Sequence, residues 1–281
     1  MSIIDEILEK VKQLPPLSNS AAELVKMADK DEISAGAMAA VIEKDPDLAS
    51  QVLRVANSAA FHPVSPISSI QFAVSFLGNR TTMGIIMGFC LSGMYKKPLE
   101  GYLAPEGALW RYSLATAIAA RFLAKYARAD ISPELAYTAG LLHPIGKSVI
   151  SEFLSISETE ITELQNPEED FTSVERSTLG TDHCKIGKAI AQSWNLPEDI
   201  CQVIGFYNTP AAADEKYKPL VYLVHLASFV AMMGGKGTGV DALQYTLDED
   251  YDNYIALNTA HDLERIVINV QQEFEIMVSI S

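Results

Sequence analysis

The chain has 281 residues, of which 48% are hydrophobic, and its formal net charge at pH 7 is −15. This length and apolar content suffice for one large domain or two smaller ones, each with a buried core. The acidic balance disfavours general nucleic-acid binding, because an acidic surface repels the phosphate backbone. The three cysteines are widely spaced and form no C-x-x-C pair, which disfavours both a disulfide framework and a structural zinc site.

Neither a leader sequence nor a membrane span is apparent. The first residues lack the basic and apolar regions of a signal peptide. The longest stretch of low charge, 81–95, has about 15 residues, fewer than the ~20 needed to cross a bilayer. The sequence therefore predicts a cytoplasmic protein that does not enter the membrane.

Helical periodicity recurs along almost the whole N-terminal part of the chain. Ser34 stands where the N-cap of one helix is expected, and Asp45 with Pro46 suits the start of the next. Ser68 or Ser69 then opens a further helix. The apolar face of that helix is expected to comprise Phe72, Ala73, Phe76 and Leu77.

The C-terminal part continues the helical pattern after a linker predicted at 98–107. Pro133 opens a helix that runs into His143, and Asp182 can cap another. The glycine-rich stretch 234–239 is interpreted as a flexible loop rather than a phosphate-binding loop, because a glycine follows Lys236 and the preceding segment is helical. A last amphipathic helix is predicted around Ile266 and Phe274.

These patterns predict an all-α protein, since no run of alternating strand residues occurs. We expect a multi-helix bundle of two helical subdomains. The expected segments are an N-terminal helical subdomain over 1–100, a second helical subdomain over 101–233, and a loop with a C-terminal helical extension over 234–281.

Several short motifs occur in the same order as in the HDOD family, which is related to the HD superfamily of metal-dependent phosphohydrolases. They are L-P-P-L at 14–17, I-E-K-D-P-D-L at 42–48, L-R-V-A-N-S-A-A-F at 53–61, A-G-L-L-H at 139–143 and W-N-L-P at 194–197. The resemblance covers about 7–230. It implies an HD-like helical scaffold used mostly in bacterial signalling, often without the enzymatic activity of its relatives.

The resemblance also allows each metal-ligand position to be checked. HD enzymes carry L-L-H-D-I-G-K where residues 141–147 read L-L-H-P-I-G-K, and Pro144 has no side-chain oxygen to offer a metal. The other ligand positions correspond to Tyr112, His183, Tyr207, Asn208 and Ser228. Only His143 and His183 are retained, as weak metal candidates, because a catalytic metal usually takes three or more protein ligands. The alternative is that His143 is hydrogen-bonded at a helix end and that His183 packs or caps.

The sequence thus predicts a pseudoenzyme without catalytic residues or cofactor, which acts in signalling or as a scaffold through recognition of protein partners. Asn57, Ser58, Ser68 and Ser69 are the predicted interaction residues, although capping and turn chemistry would also account for them. Two other functions stay open: a metal-dependent phosphohydrolase with a reduced site at His143 and His183, and a module that senses a nucleotide or another small ligand. A homodimer is a further alternative.

Overall fold

The computed structural model describes residues 2–14, 18–28, 34–58, 61–154, 170–242, 244–257 and 260–280. Within these ranges the chain forms α-helices, short 3-10 helices and two isolated β-bridges, and it contains no strand. The all-α prediction is confirmed. Pro15 to Leu17 of the first motif and the two alanines at 59–60 lie outside the described residues.

The described ranges contain a succession of α-helices. In chain order they are α1 (Ile3–Lys12), α2 (Asn19–Ala28), α3 (Ala35–Ile42), α4 (Pro46–Ala56), α5 (Ile70–Leu77), α6 (Asn79–Tyr95), α7 (Ala108–Leu123), α8 (Pro133–Leu142), α9 (Lys147–Ile150), α10 (Phe171–Leu179), α11 (His183–Ser193), α12 (Glu198–Phe206), α13 (Lys218–Met233) and α14 (Ala260–Ile280). None of the described helices combines the length and the apolar content that a bilayer crossing requires.

Side-chain caps fix the starts of the helices where the sequence indicated them. The side chains of Ser34, Asp45, Ser69 and Asp182 each accept a hydrogen bond from the backbone N–H three residues later, at 3.1, 3.2, 3.3 and 2.8 Å. Each cap satisfies one of the N–H groups that a helix leaves without an internal partner. Pro133 occupies the first turn of α8, where the missing N–H costs nothing.

The buried face of α5 differs from the prediction. Ala73 and Leu77 are buried, but Phe72 and Phe76 are 58% and 41% exposed, and their rings stack with centroids 6.4 Å apart. Val74 is buried instead. The prediction for the two phenylalanines is wrong because almost every position of α5 is apolar, so the spacing alone permits an inward face on either side of the helix.

Two clusters of buried apolar side chains form the interior. The N-terminal core draws on α2 to α5 and the first half of α6, and includes Leu48 and Ile86. The main core draws on α1, the rest of α6 and the helices that follow, and includes Met87 and Phe274. The change from one core to the other therefore falls inside α6. The subdomain division at residue 100 stays a prediction, and the C-terminal helix α14 contributes to the main core.

Helices α7 and α8 approach each other closely at Gly140. A Cβ atom on Gly140 would lie 2.8 Å from the Cα atom of Ala117 and 2.9 Å from the carbonyl oxygen of Thr116. Only a residue without a side chain permits this approach. It brings the C-terminal end of α8, with His143, beside Tyr112 of α7.

Candidate functional site

The residues at the HD ligand positions meet in the main core. The ends of α8 and α12, the first turn of α11 and the interior of α7 supply them, and the segment after α13 adds a carboxylate. Their neighbours complete a group that we call the central cluster. It comprises Tyr102, Tyr112, His143, Lys147, Glu175, His183, Tyr207, Asp241 and Tyr245, all of them buried.

His143 caps the C-terminal end of α8, as its position before a proline suggested. Its Nδ1 atom lies 2.6 Å from the carbonyl oxygen of Gly140; since a carbonyl only accepts, Nδ1 carries the proton. The backbone of His143 nevertheless has helical angles, φ −53° and ψ −39°, because the following proline disfavours these angles without forbidding them. Burial lowers the pKa of His143 well below its usual value, and Lys147 and His183 lower it further. The imidazole is therefore neutral.

The Nε2 atom of His143 is buried and has no hydrogen-bond partner among the described residues. It lies between aromatic rings, with the ring of Tyr112 at 4.9 Å and that of Tyr207 at 4.6 Å between centroids, both edge-on. Such a setting suits a neutral imidazole, which packs like another aromatic ring.

His183 uses both of its ring nitrogens inside the cluster. Nδ1 lies 2.7 Å from the carboxylate of Glu175, and Nε2 lies 2.5 Å from the hydroxyl of Tyr207. Glu175 also accepts hydrogen bonds from the backbone N–H of His183 at 2.9 Å and from the hydroxyl of Tyr102 at 2.6 Å. Burial opposes the charged form of His183, but Cys184 and Glu175 outweigh it and raise its pKa. A protonated ring donates from Nδ1 to Glu175 and from Nε2 to Tyr207, whereas the side-chain nitrogen of Asn208, 3.1 Å from Nε2, donates only to an unprotonated Nε2.

Lys147 and Asp241 form a fully buried ion pair, each with a side chain that is 0% exposed. The Lys147 ammonium also donates to the hydroxyl of Thr238 at 3.1 Å, and it lies 4.9 to 5.3 Å from the ring centroids of Tyr102, Tyr112 and Tyr245. These ring faces attract the cation by their quadrupoles.

The carboxylate of Asp241 is held by several donors besides Lys147. It accepts hydrogen bonds from the hydroxyls of Thr238 at 2.8 Å and Tyr245 at 2.9 Å. Burial alone would raise the pKa of Asp241, but Lys147 and these hydroxyls reverse the effect and lower it. Asp241 is therefore ionised, and its charge balances that of Lys147.

The glycine-rich stretch contributes to this site, although its composition suggested a flexible loop. It follows helix α13 directly, so it lacks the strand of a phosphate-binding loop. A Cβ atom on Gly239 would lie 2.1 Å from the carbonyl oxygen of Tyr102, and the N–H of Val240 donates to that oxygen at 3.0 Å. This close contact places Thr238 and Asp241 beside Lys147.

The cluster does not fit a divalent metal ion of the kind that the HD resemblance implies. Both ring nitrogens of His183 already make hydrogen bonds. Within the cluster, the Nε2 atom of His143 is therefore the imidazole nitrogen that remains available as a metal ligand. The two carboxylates already pair with Lys147 and His183, and a bound cation would meet these positive charges. The described ranges hold no group of three or more His, Cys, Asp or Glu side chains arranged as metal ligands. No chemical step through a metal follows from this arrangement.

The predicted interaction residues lie elsewhere, in and beside the N-terminal core. The side-chain amide of Asn57 donates to the carbonyl oxygens of Leu53 at 2.9 Å and Ile67 at 2.8 Å, and its oxygen accepts from the N–H of Ile67 at 2.7 Å. Asn57 thus fastens the turn before α5 to the end of α4. Ser69 caps α5, Ser68 is exposed and Ser58 is buried. Turn and cap chemistry accounts for Asn57 and Ser69, and an interaction role for all four stays a prediction.

Sequence reasoning missed Lys147, Glu175, Asp241, Tyr102 and Tyr245. Lys147 stands inside the family motif at 141–147, which was a usable signal. Neither Glu175 nor Asp241 belongs to a recognised motif: Glu175 pairs with His183 and with the distant Tyr102, and Asp241 pairs with the distant Lys147.

Comparisons with known proteins relate the chain to one family. The HDOD domain model matches residues 14–210. An uncharacterized protein of Treponema pallidum is 27% identical over 224 residues, which are 79% of this chain and 43% of that protein. The chain thus spans less than half the length of this curated relative.

Solved structures agree with this relationship. An HDOD domain protein of unknown function from Geobacter sulfurreducens has a TM-score of 0.66 at 23% identity, covering 99% of this chain and 92% of its own. A protein from Shewanella amazonensis, provisionally named a phosphohydrolase, has a TM-score of 0.64 at 27% identity, covering 96% of this chain and 93% of its own. A protein from Marinobacter aquaeolei, provisionally named a signal transduction protein, has a TM-score of 0.64 at 22% identity, covering 100% of this chain and 61% of its own. The Geobacter and Marinobacter likenesses concern the fold alone. Because the family model matches most of its length, the chain belongs to the HDOD family.

Proposed function

We propose that this HDOD protein is a non-catalytic signalling or scaffold protein that acts by binding protein partners. The observation that carries the proposal is the buried ion pair of Lys147 and Asp241. In the central cluster the positive charge beside this carboxylate is the ammonium group of Lys147. A phosphohydrolase instead needs an exchangeable metal ion that activates a water molecule.

The burial of the cluster supports the same proposal. Tyr112, His143, His183 and Tyr207 are each at most 1% exposed, so the folded chain leaves almost no surface on them for a phosphoryl group to contact. The names of the Shewanella and Marinobacter proteins suggest a hydrolase and a signalling role, respectively. The charged side chains of the central cluster are buried and paired with one another, and this favours the signalling role for this chain.

The exposed surface beside Ser68 and Ser69 is our candidate for partner contact. Val64 is fully exposed, and the stacked rings of Phe72 and Phe76 stand on the outer face of α5. Exposed aromatic side chains are enriched at protein interfaces. This surface is continuous in sequence with the predicted interaction residues.

Two measurements test the proposal together. Elemental analysis after incubation with Mn²⁺ and dialysis should find metal well below one equivalent, and a phosphodiester such as bis(p-nitrophenyl) phosphate should not be turned over. Affinity capture with the double variant Phe72→Ser/Phe76→Ser should lose partners that the native protein and the control Ile268→Ser retain; Ile268 is 53% exposed and lies on helix α14. Stoichiometric metal with turnover abolished by His143→Ala, or identical captured sets for both variants, would overturn the proposal.

A further inference from the structure

A groove of about 260 Å³ lies where the N-terminal core meets the main core. Helices α4 and α6 form one wall, α7 and α8 form the other, and the end of α14 closes it. It is lined by apolar residues, among them Ile85 and Leu141, and by the aromatic residues Phe89, Trp110 and Tyr137. We call it the interface groove. It is separate from the central cluster.

The rim of the interface groove is positively charged. Arg54 and Lys96 are exposed there, and Arg54 hydrogen-bonds Gln51, which also lines the groove. None of the described residues that line it carries a carboxylate, although the chain as a whole has a net charge of −15. Local cations in an otherwise acidic protein concentrate and orient an anionic ligand.

Ser58 supplies an independent observation. This residue lines the groove, is only 5% exposed, and its hydroxyl has no hydrogen-bond partner among the described residues. Leaving a buried hydroxyl unpaired is unfavourable, so such a group in a cavity wall marks a place where a ligand atom can supply the missing hydrogen bond. Ser58 also belongs to the family motif at 53–61 and is one of the predicted interaction residues.

We propose that the interface groove binds a small planar molecule bearing a phosphate, of the nucleoside monophosphate class. The rings of Phe89 and Trp110 offer faces for a base, and Arg54 and Lys96 offer cations for the phosphate. The volume lies just below the ~300–1,000 Å³ usual for small-molecule sites, so it suits one nucleotide rather than two linked ones. This site is distinct from the protein-binding surface of α5, and the proposal does not depend on that surface.

Trp110 provides a direct reporter of occupancy. The chain has two tryptophans, so the variant Trp194→Phe leaves Trp110 as the only one. Titration of this variant with AMP, GMP, CMP and UMP should give a saturable change in Trp110 fluorescence for at least one of them. The matching nucleoside, inorganic phosphate alone and cyclic dinucleotides should each bind at least about tenfold more weakly, because each lacks half of the contacts or exceeds the volume.

Two substitutions and a matched control locate the site. Ser58→Ala should leave the unfolding midpoint unchanged or raise it, since it removes an unpaired hydroxyl, and should weaken monophosphate binding about tenfold. Lys96→Glu should weaken it by at least as much. The control Lys97→Glu changes the neighbouring exposed lysine, which does not line the groove, and should have little effect.

The outcomes that would overturn the proposal are specific. They are no saturable signal with any monophosphate by either Trp110 fluorescence or calorimetry, equal affinity for nucleoside and monophosphate, or an equal effect of Lys97→Glu and Lys96→Glu. A groove that instead receives an aromatic side chain of a protein partner would give the first of these results.

Discussion

The ion pair of Lys147 and Asp241 is balanced only while both partners are present. Both side chains are fully buried, and the Asp241 carboxylate also accepts hydrogen bonds from the hydroxyls of Thr238 and Tyr245. Removing one partner of such a pair leaves an uncompensated charge in the interior, and this usually costs about 3–5 kcal/mol.

We therefore expect Lys147→Met to lower the free energy of unfolding by about 3–5 kcal/mol, although the methionine side chain has a comparable length. The double variant Lys147→Met/Asp241→Asn should cost less than the sum of the two single variants, because no lone charge remains. Urea unfolding at pH 7, followed by circular dichroism, measures all three. A single-variant cost below about 1 kcal/mol would show that water reaches the pair, which contradicts the burial of both side chains.

His143 makes the stability depend on pH in a defined direction. Its pKa is lowered in the folded protein because it is buried, whereas the unfolded chain takes up the proton near the usual value of about 6.5. The unfolded state thus binds more protons below that pH, so the contribution of His143 is present above pH 6.5 and is lost as the pH falls.

We predict that His143→Gln flattens the loss of stability between pH 6.5 and pH 5. The slope of the free energy of unfolding against pH should decrease by up to about 1.4 kcal/mol per pH unit, which corresponds to the uptake of one proton. His225, whose pKa burial also lowers, still contributes a slope of the same sign in this variant. Urea unfolding at several pH values provides the comparison, and parallel curves for the native protein and the variant would mean that His143 is protonated in the folded state.

At the scale of elements, the turn between α8 and α9 lies directly against the first turn of α11. A Cβ atom on Gly146 would lie 1.9 Å from the carbonyl oxygen of His183 and 2.7 Å from the backbone nitrogen of Gly187. Both obstacles are backbone atoms and cannot rotate away. The contact fixes where His183 and Lys147 stand relative to each other.

Gly146→Ala should therefore destabilise the protein by about 3 kcal/mol or more, through forced separation of the two elements. Gly93→Ala is the matched control, because Gly93 is an exposed residue of α6 and a Cβ atom on it would have no neighbour within 4 Å. Alanine there should be neutral or should stabilise the helix by about 0.5–1 kcal/mol. Thermal and urea unfolding of the two variants measures this difference. Similar unfolding midpoints for Gly146→Ala and Gly93→Ala would contradict the close contact at Gly146.

Local chemistry explains which elements could be predicted from the sequence. The starts of α3, α4 and α11 follow from side chains that bond backbone groups three residues away, so a short window contains all the necessary information. Phe72 and Phe76 could not be placed, because the choice of face on an apolar helix depends on where its neighbours lie.

The central cluster could be predicted only in outline. Family motifs located His143 and His183, but Lys147 and Asp241 are 94 residues apart in the chain, and Tyr102 and Glu175 are 73 apart. No periodicity relates such pairs. The packing of the glycine-rich stretch against Tyr102 helps to bring Asp241 to Lys147, and the sequence does not reveal that contact.

At the scale of the whole molecule, helix α6 joins the two cores. Its neighbouring residues Ile86 and Met87 are both 0% exposed, yet they belong to different cores. Unfolding of either core would expose half of α6 and break the helix that the other core also needs. The two cores should therefore unfold in one transition.

This coupling can be tested with a substitution in one core and a probe in the other. Leu48 is 1% exposed in the N-terminal core, and Leu48→Ala should cost about 2–5 kcal/mol through lost burial and a residual cavity. Trp194 packs against the main core and does not line the interface groove, so in a Trp110→Phe background its fluorescence reports on the other half. If α6 couples the cores, urea curves from tryptophan fluorescence and from circular dichroism shift together by the same free energy, whereas the control Val64→Ala at a fully exposed site shifts neither. A tryptophan transition that stays in place while the helical signal is lost earlier would show that the N-terminal core unfolds alone, and the interface groove would then lose one wall without global unfolding.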